Sequence, residues 1–298
     1  MKISLKSILL ILLLAPALTS CIRDEIEDCP PLQVNIAVKD KNYFNVDKAT
    51  PEERRSEDLA FREYVPTLFY MLRDAKTGEV MEEQGVFSVE GDGKTVPVEF
   101  CPCLPHGTYV LTVWGGMKDM TSLSEDRTAL ALHPEHAEGD DIYLVNDTIV
   151  YDAYRYDYTV EMERTKGKLI VEAEGLPQGI GQMTTDVDRL FGKVNSDFVY
   201  SGETHVSSTS AVTVDQKVRM SSIMAPSVGS GASLVNVSFT KNDSASDMLL
   251  PKPADVNINM ERNRITMLKY VFNPDADKFT IYIKVNDNWE EIHGMILD

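Results

Sequence analysis

The sequence predicts an all-β protein made of two tandem β-sandwich domains that follow a lipoprotein signal peptide. Short segments alternate apolar and polar residues along most of the chain, and turn signals separate them at regular spacing. Long helical patterns are few. We place the signal peptide at residues 1–20, the N-terminal sandwich at 21–165 and the C-terminal sandwich at 166–298. The 278 residues that follow the signal peptide can form one large domain or two ordinary ones, and we favour two sandwiches of similar size.

The amino terminus has the pattern of a bacterial export signal. Two lysines precede the unbroken apolar run Ile8–Leu14, which is shorter than the about 20 residues that a membrane-spanning helix needs. The following Leu18-Thr19-Ser20-Cys21 resembles a lipobox, in which the cysteine becomes the first mature residue and is acylated. We therefore expect acyl chains on Cys21 to hold the protein on a membrane, and no other cofactor. A plain secretory signal with an incidental cysteine is the alternative.

Acidic residues dominate the chain and crowd together just after the lipobox. The cluster Asp24, Glu25, Glu27 and Asp28 is either a solvated spacer or an address for display on the outer surface, and we favour surface display. The chain has 29 basic and 47 acidic residues, which gives a net charge of −18. This balance argues against nucleic acid as a partner and against a polybasic contact with anionic lipid.

Three cysteines follow the lipobox: Cys29, Cys101 and Cys103. An exported protein meets an oxidising compartment, so we expect one disulfide among them. A Cys101–Cys103 bridge would close a very tight ring across Pro102, and we therefore favour Cys29 joined to Cys101 or to Cys103. A Cys-x-Cys metal pair is the weaker interpretation, because only His106 is close enough in sequence to assist.

The predicted strands follow one another from the acidic leader to the carboxyl terminus. Leu32–Val38 alternates with a period of two, as a half-buried strand does. Residues 40–64 are charged and interrupt the pattern, with some helical character. In Leu104–Trp114 a turn leads into a strand with alternate apolar residues on one face. The other predicted strands are Thr67–Leu72, Glu79–Glu83, Val86–Glu90, Val96–Phe100, Val145–Glu163, Lys168–Glu174, Val212–Met220, Leu234–Thr240, Asp255–Asn259, Arg264–Phe272 and Lys278–Val285.

Catalytic and metal-binding motifs are weak. His133 and His136, with Glu138 nearby, form the only grouping suited to a metal, but Pro134 separates them and a surface loop is the better interpretation. The nucleophile-elbow, phosphate-loop and dinucleotide-binding patterns do not occur. Carboxylates are abundant, and nothing in their spacing selects an acid and a base. We therefore predict a non-enzymatic binding or assembly protein without a metal.

Several separated motifs, taken in order, point to one family. The lipobox, the acidic leader with Cys29 and the first alternating strand are followed by Leu104-Pro105-His106-Gly107-Thr108-Tyr109 with Val113-Trp114, then by Val160–Pro177 and finally by Lys278–Trp289. In this order they resemble the FimB-like fimbrial anchors and minor subunits, the lipoproteins of type V pili. The resemblance covers nearly the whole mature chain. It implies two tandem transthyretin-like Greek-key β-sandwich domains attached to the outer membrane.

The resemblance also implies fimbrial shaft subunits as partners and a role as a pilus anchor or minor subunit that attaches or ends the fibre. Such fibres grow when an extended segment of one subunit pairs with an open strand edge of the next. We therefore expect the carboxy-terminal region Thr280–Leu297, or an adjacent sheet edge, to make the contact with the shaft. Ile281, Ile283 and Val285 would supply alternate side chains to the partner; an ordinary core strand is at least an equal alternative. Shaft subunits of such pili are cleaved after arginine. Arg54-Arg55 could be cut, although an anchor is expected to keep the strand before it.

Two other functions share these features. A surface glycan-binding lipoprotein would use exposed aromatic side chains, and the dense stretch Tyr151, Tyr154, Tyr156 and Tyr158 is the candidate. Its period of two is explained more simply by one face of a strand. An adhesive tip subunit would differ from an anchor only in the end of the fibre that it occupies.

Overall fold

A computed structural model of the chain describes residues 30–229, 232–241, 251–285 and 287–292. The signal peptide, Cys21, the acidic cluster and Cys29 lie outside the described residues. Within them the chain forms seventeen β-strands and only two short α-helices, so the predicted all-β class is confirmed. No helix of the described part is long and apolar enough to cross a membrane.

The first half of the chain builds a seven-stranded arrangement in the order β3-β2-β5-β7-β8-β1-β4. Strands β7 and β8 pair only where Tyr143 and Leu144 meet Arg164 and Glu163, and then diverge into separate layers. One layer is β3-β2-β5-β7 and the other is β8-β1-β4, with β1 parallel to β8 and antiparallel to β4. The strands are β1 (Gln33–Val38), β2 (Thr67–Asp74), β3 (Val80–Ser88), β4 (Thr95–Glu99), β5 (Gly107–Gly115), β6 (Ala129–Ala131), β7 (Tyr143–Tyr151) and β8 (Asp157–Arg164).

Short helical elements lie in two loops of this first half. The loop between β1 and β2 contains α1 (Val46–Ala49), a 3₁₀ turn at Pro51–Glu53 and α2 (Phe61–Tyr64), which confirms the predicted helical character of residues 40–64. The loop between β5 and β7 contains β6 and a second 3₁₀ turn at Pro134–His136.

The second half forms two five-stranded sheets. One has the order β11-β10-β13-β14, with β6 from the first half pairing beside β10, and the other has the order β12-β9-β15-β16-β17. Strand β9 is parallel to β15. The strands are β9 (Gly167–Glu174), β10 (Ile180–Asn195), β11 (Tyr200–Ala211), β12 (Val218–Met224), β13 (Ser233–Lys241), β14 (Val256–Ile258), β15 (Ile265–Asn273), β16 (Lys278–Val285) and β17 (Asn288–Glu291).

The two halves repeat one strand order. In each, the first strand lies inside a layer, between an antiparallel strand (β4 or β12) and a late parallel strand (β8 or β15). In each, the other layer begins with a hairpin, β2–β3 or β10–β11, and continues to β5–β7 or β13–β14. Strands β6, β16 and β17 are additions to this shared plan. The sequence shows no strict repeat, so the repeat is one of topology.

The cores explain why some strands are apolar on both faces. In β2, Leu68 and Leu72 enter the core of the first sandwich, whereas Phe69 and Met71 enter the core of the second. Trp114 on β5 also faces the second core. A strand buried on both faces has a continuous apolar run rather than an alternating one, and this is the pattern of Thr67–Leu72. The first sandwich therefore supplies part of the core of the second.

Most predicted strands are confirmed, and four are corrected. The strands predicted at 79–83 and 86–90 are replaced by one strand, β3 (Val80–Ser88), whose pairing with β2 shifts register twice. Val145–Glu163 is two strands joined by a turn, and residues 212–217 form a turn rather than the start of β12. The long hairpin β10–β11 was not predicted, because Ser and Thr replace apolar residues along most of β11. The division at 165 and 166 stays a prediction.

Candidate assembly site

The segment that follows the predicted lipid anchor leads into β1, a strand of the first sandwich that is paired on both sides. The carbonyl oxygen of Leu32 accepts the N–H of Phe100 at 2.9 Å, and the N–H of Gln33 donates to the carbonyl oxygen of Tyr156 at 2.7 Å. From there β1 pairs with β4 on one side and β8 on the other. A pull along β1 would load these backbone hydrogen bonds together, in shear, because they run across the direction of the force.

The peptide that joins the two sandwiches is buried and carries a charged side chain. Arg164 is 3% exposed. Its guanidinium donates to the Asp141 carboxylate at 3.1 Å, to Asn263 Oδ1 at 2.7 Å and to the Tyr143 hydroxyl. It also lies over the ring of Tyr43, 4.2 Å from the centroid. Arg164 thus connects the β1–β2 loop, β7 and the turn before β15, so the joint is fixed by hydrogen bonds from both halves.

Lys166, two residues further on, is fully buried. Its ammonium donates to the carbonyl oxygens of Leu132 at 3.0 Å and Glu138 at 2.8 Å, and so holds the β5–β7 loop against the second sandwich. Burial lowers the pKa of Lys166 to about 8, although the carboxylates of Asp141 and Glu138 oppose this effect. Sequence reasoning missed this joint, since an Arg-Thr-Lys run ordinarily indicates a solvated turn.

The histidine pair considered for a metal has another use. His133 is buried rather than on a surface loop: its Nε2 accepts the N–H of Ala225 at 2.9 Å, so its Nδ1 is left to donate to the carbonyl oxygens of Ala137 and Glu138. Burial lowers the pKa of His133 to about 3, and the charge of Lys166 adds to the effect. In the described part of the chain, no three His, Cys, Asp or Glu side chains are placed to hold a metal.

Residues 43–53 form a strap from the first half that crosses the outer face of the second. Val46 and Ala49 of α1 form an apolar cluster with Ile170, Ile265 and Met267. The strap is tied further by polar contacts. The Asn45 side chain binds both the N–H and the carbonyl oxygen of Ile265, and the Glu53 carboxylate binds Lys168 and Arg219, each at 2.8 Å.

The possible cleavage site lies at the end of this strap. Arg54 is exposed and pairs with Asp47. Arg55 is held more firmly, since its N–H donates to Asn42 Oδ1 at 2.8 Å and its carbonyl oxygen accepts from Asn42 Nδ2 at 3.0 Å. Its guanidinium lies 4.8 Å from the centre of the Tyr64 ring. A protease would have to displace these contacts, and whether the bond is cut in cells stays a prediction.

The cysteines are paired differently from our expectation. Cys101 is joined to Cys103, and their Cα atoms are 5.2 Å apart. This separation lies within the usual range for a disulfide, so the turn at Pro102 does not hold the two residues too far apart or too close. The favoured bridge from Cys29 to one of them is therefore not the arrangement of the structure.

The residues considered for strand exchange lie on a strand that is already paired. Ile281 is buried in the second core, and Ile283 packs against it. Strand β16 has β15 on one side, and β17 covers residues 282–285 on the other. Ile283 and Val285 also line an open cleft of about 450 Å³ beside α1. An ordinary core strand, the alternative considered above, describes β16 better than a donor strand does.

The four tyrosines do not share one strand face. The chain turns at Asp152–Arg155, so Tyr151 lies on β7 and Tyr158 on β8. Tyr151 is buried, and the Tyr158 hydroxyl donates to the carbonyl oxygen of Val150 at 2.6 Å. Tyr154 is 93% exposed, and Tyr156 is 38% exposed. The tip of this turn is therefore an aromatic surface without a structural role in the core.

Together these features define a class: tandem β-sandwiches of one topology that are joined by a buried polar peptide. Solved structures share this fold. A “putative adhesin” from Bacteroides thetaiotaomicron matches with a TM-score of 0.58 at 12% identity, covering 89% of this chain and 99% of that one. A “putative adhesin” from Bacteroides ovatus matches with a TM-score of 0.56 at 11% identity, covering 89% and 96%.

A third structure, of “putative polysaccharide binding proteins” from Bacteroides thetaiotaomicron, matches with a TM-score of 0.56 at 13% identity, covering 89% and 98%. The fimbrial anchor protein Mfa2 from Porphyromonas gingivalis is also among the matches, with a TM-score of 0.49 at 14% identity. No protein-family model and no curated protein matches the sequence. At these identities the comparisons establish the fold, and they confirm at that level the resemblance drawn from the motifs.

Proposed function

We propose that the protein is a lipid-anchored structural component of a fimbrium at the outer membrane, as its anchor or as a minor subunit. Acyl chains on Cys21 would hold it in the membrane, and fimbrial shaft subunits would be its partners through strand complementation. It would have no catalytic role and no nucleic-acid partner.

The observation that carries this proposal is the continuous path for force. The anchor segment enters β1, which is paired on both sides, and the joint at Arg164 and Lys166 ties the first sandwich to the second. A protein that holds a fibre on a cell must transmit tension between its two ends without unfolding. The fold shared with proteins named as adhesins supports the same interpretation.

A Cys21→Ala substitution in the producing bacterium tests the proposal. We expect loss of radiolabelled palmitate from the protein and a shift of fimbriae from cells into the medium. The double variant Cys101→Ser, Cys103→Ser is the control, because it also replaces cysteine, leaves no unpaired thiol from the disulfide, and keeps the anchor. Immunogold labelling of intact wild-type cells should mark the fibre base. Fimbriae that stay attached when Cys21 is replaced would refute the proposal.

Surface glycan binding is the second candidate, because Tyr154 and Tyr156 are exposed on the β7–β8 turn. A glycan array probed with the wild-type chain and with Tyr154→Ala separates the two. Binding that disappears with the substitution would favour the glycan function. A tip position, in contrast, would appear in the immunogold images as labelling at the far end of the fibre.

A further inference from the structure

The outermost strands of a sheet expose unpaired backbone groups, and proteins normally protect them against pairing with another chain. In the described part of the first sandwich, such protection is present on each outer strand. Strand β3 carries Glu82 and Glu83, and β4 is five residues long and contains Pro97. Where β7 and β8 diverge, their outer sides carry Asp147 and Glu161.

The described outer strands of the second sandwich are also protected, with one exception. Strand β14 has three residues, and β17 has four, of which two are glutamates. In β12, Arg219 adds a charge, and the N–H of Ile223 is occupied by the Glu138 carboxylate at 2.6 Å. The exception is β11.

Strand β11 is twelve residues long and forms the outer edge of its sheet. Its first half is partly covered by the β5–β7 loop, since His136 stacks on His205 with ring centres 3.9 Å apart and its Nδ1 lies 3.1 Å from Thr204 Oγ1. Its second half, Val206–Ala211, has no charged residue and no proline. Edge strands normally carry charged residues that prevent pairing with another chain, and this six-residue edge of Val, Ser, Thr and Ala carries none.

The hydrogen-bond register shows which backbone groups are available. Val212 donates its N–H to the carbonyl oxygen of Gly181 at 2.8 Å, and Ala211 lies opposite Gln182. In an antiparallel pair, hydrogen-bonded and non-hydrogen-bonded positions alternate. The backbone groups of Ser207, Thr209 and Ala211 therefore point away from β10. In the residues that the structure describes, no strand pairs with this side of β11.

We propose that Val206–Ala211 is the edge at which the protein receives an extended strand of a fimbrial subunit. The proposal rests on the function proposed above and names its contact. A second copy of this chain is a poor occupant, because each copy carries a net charge of −18 and copies repel one another. The small side chains of Ser207, Thr209 and Ala211 favour a partner strand rich in β-branched residues and free of acidic ones.

A proline at position 209 tests the edge with little effect on the fold. Thr209→Pro removes an N–H that has no partner on β10, and proline is tolerated in edge strands when its missing N–H faces outward. We expect about tenfold more fimbriae in the medium, since a lost hydrogen bond and the disturbed neighbouring pairing weaken the contact. Thr209→Val is the matched control: it removes the same hydroxyl but keeps the N–H, and attachment should be retained. Thr209→Lys, which keeps the N–H and adds a charge to the edge, should repeat the loss.

A photo-reactive benzoylphenylalanine at position 209 identifies the occupant in living cells. We expect cross-links to one extended segment of a fimbrial subunit, and none when the probe is placed at Gln84 on β3. Cross-links to a second copy, to the chain's own residues, or to nothing would overturn the proposal. If fimbriae depend on Cys21 but are indifferent to Thr209→Pro and Thr209→Lys, the assignment of the edge fails while the anchoring function stands.

Discussion

The two sandwiches share a strand order but differ in how they obtain their cores. The buried apolar residues of the first core all come from the first half of the chain, between Leu32 and Met162. The core of the second also includes nine buried residues of the first half: Phe69, Met71, Trp114, Met117, Leu123, Leu130, Leu132, Ile142 and Leu144. The strap adds Val46 and Ala49 to the second sandwich on its outer face.

This difference shows that repeated topology does not make two equivalent domains. The core of the first sandwich contains only residues of the first half. The core of the second also includes residues from a sheet face and a loop of the first half, and the strap (residues 43–53) packs on its outer face. Because residues of the first half complete the core of the second sandwich, the two parts are mechanically coupled. The two parts cannot separate without exposing apolar surface, so they should resist force as one body.

Separating the halves should have the largest effect. A chain of residues 166–298 alone lacks nine core side chains, which at about 1.5–3 kcal/mol each contribute as much as, or more than, the about 5–15 kcal/mol that stabilises a domain. We expect it to show no cooperative unfolding transition by circular dichroism in urea.

Residues 31–165 provide the matched comparison. Because their core is complete, we expect a cooperative transition, together with binding of a hydrophobic dye to the face that carries Phe69 and Trp114. A cooperative transition in residues 166–298 would contradict the asymmetry and would support a division into independent domains.

The joint should be the most sensitive point for a single substitution. Arg164→Ala leaves Asp141 and Asn263 without their buried partner, and we expect the free energy of unfolding to fall by about 3–5 kcal/mol. Arg155→Ala is the control, because Arg155 makes an exposed pair with Asp152, and such pairs contribute about 0–1 kcal/mol. Urea denaturation measures both. Equal effects would show that the joint does not stabilise the molecule.

The sequence was sufficient for the fold class because most strands alternate or are continuously apolar, as β1 and β2 are. It was insufficient for β10–β11 because β11 contributes only Val206 to the buried core, and an edge strand without apolar residues has no periodic signal. The joint was missed for a related reason. Arg164 and Lys166 are buried only because residues far away in sequence surround them, and no local pattern encodes that.

The candidate site likewise has one part that a local sequence motif predicts and another that depends on the arrangement of the sheet. The lipid anchor expected at Cys21 rests on a local motif, which sequence alone can show, and it stays a prediction because Cys21 lies outside the described residues. The strand-exchange hypothesis for Ile281, Ile283 and Val285 used side-chain alternation, which core strands and donor strands share. Only the pairing of β16 with both β15 and β17 separates these two cases. An unpaired edge such as Val206–Ala211 is a property of the sheet, which sequence periodicity does not contain.

The smallest predicted effect concerns the pH dependence of stability and the β5–β7 loop of the first half, which packs against the second sandwich. The folded-state pKa of His133 is lowered to about 3 from its ordinary value of 6.5, so between these values the unfolded chain binds a proton that the folded chain does not. The contribution of neutral His133 to the free energy of unfolding is therefore fully present above pH 6.5 and declines as the pH falls toward 3. From pH 7.5 to 5.5 we expect a loss of about 1.4 kcal/mol.

His133→Asn should remove that part of the pH dependence, because an amide can accept and donate hydrogen bonds without titrating. Asp40 acts in the opposite direction, since burial raises its pKa, but both chains retain Asp40, so its contribution cancels when they are compared. Urea denaturation of both chains between pH 5.5 and 7.5 therefore isolates the histidine. If the wild type and His133→Asn lose equal stability over this range, His133 is protonated in the folded protein, and its contact with Ala225 does not hold the loop in the neutral form described here.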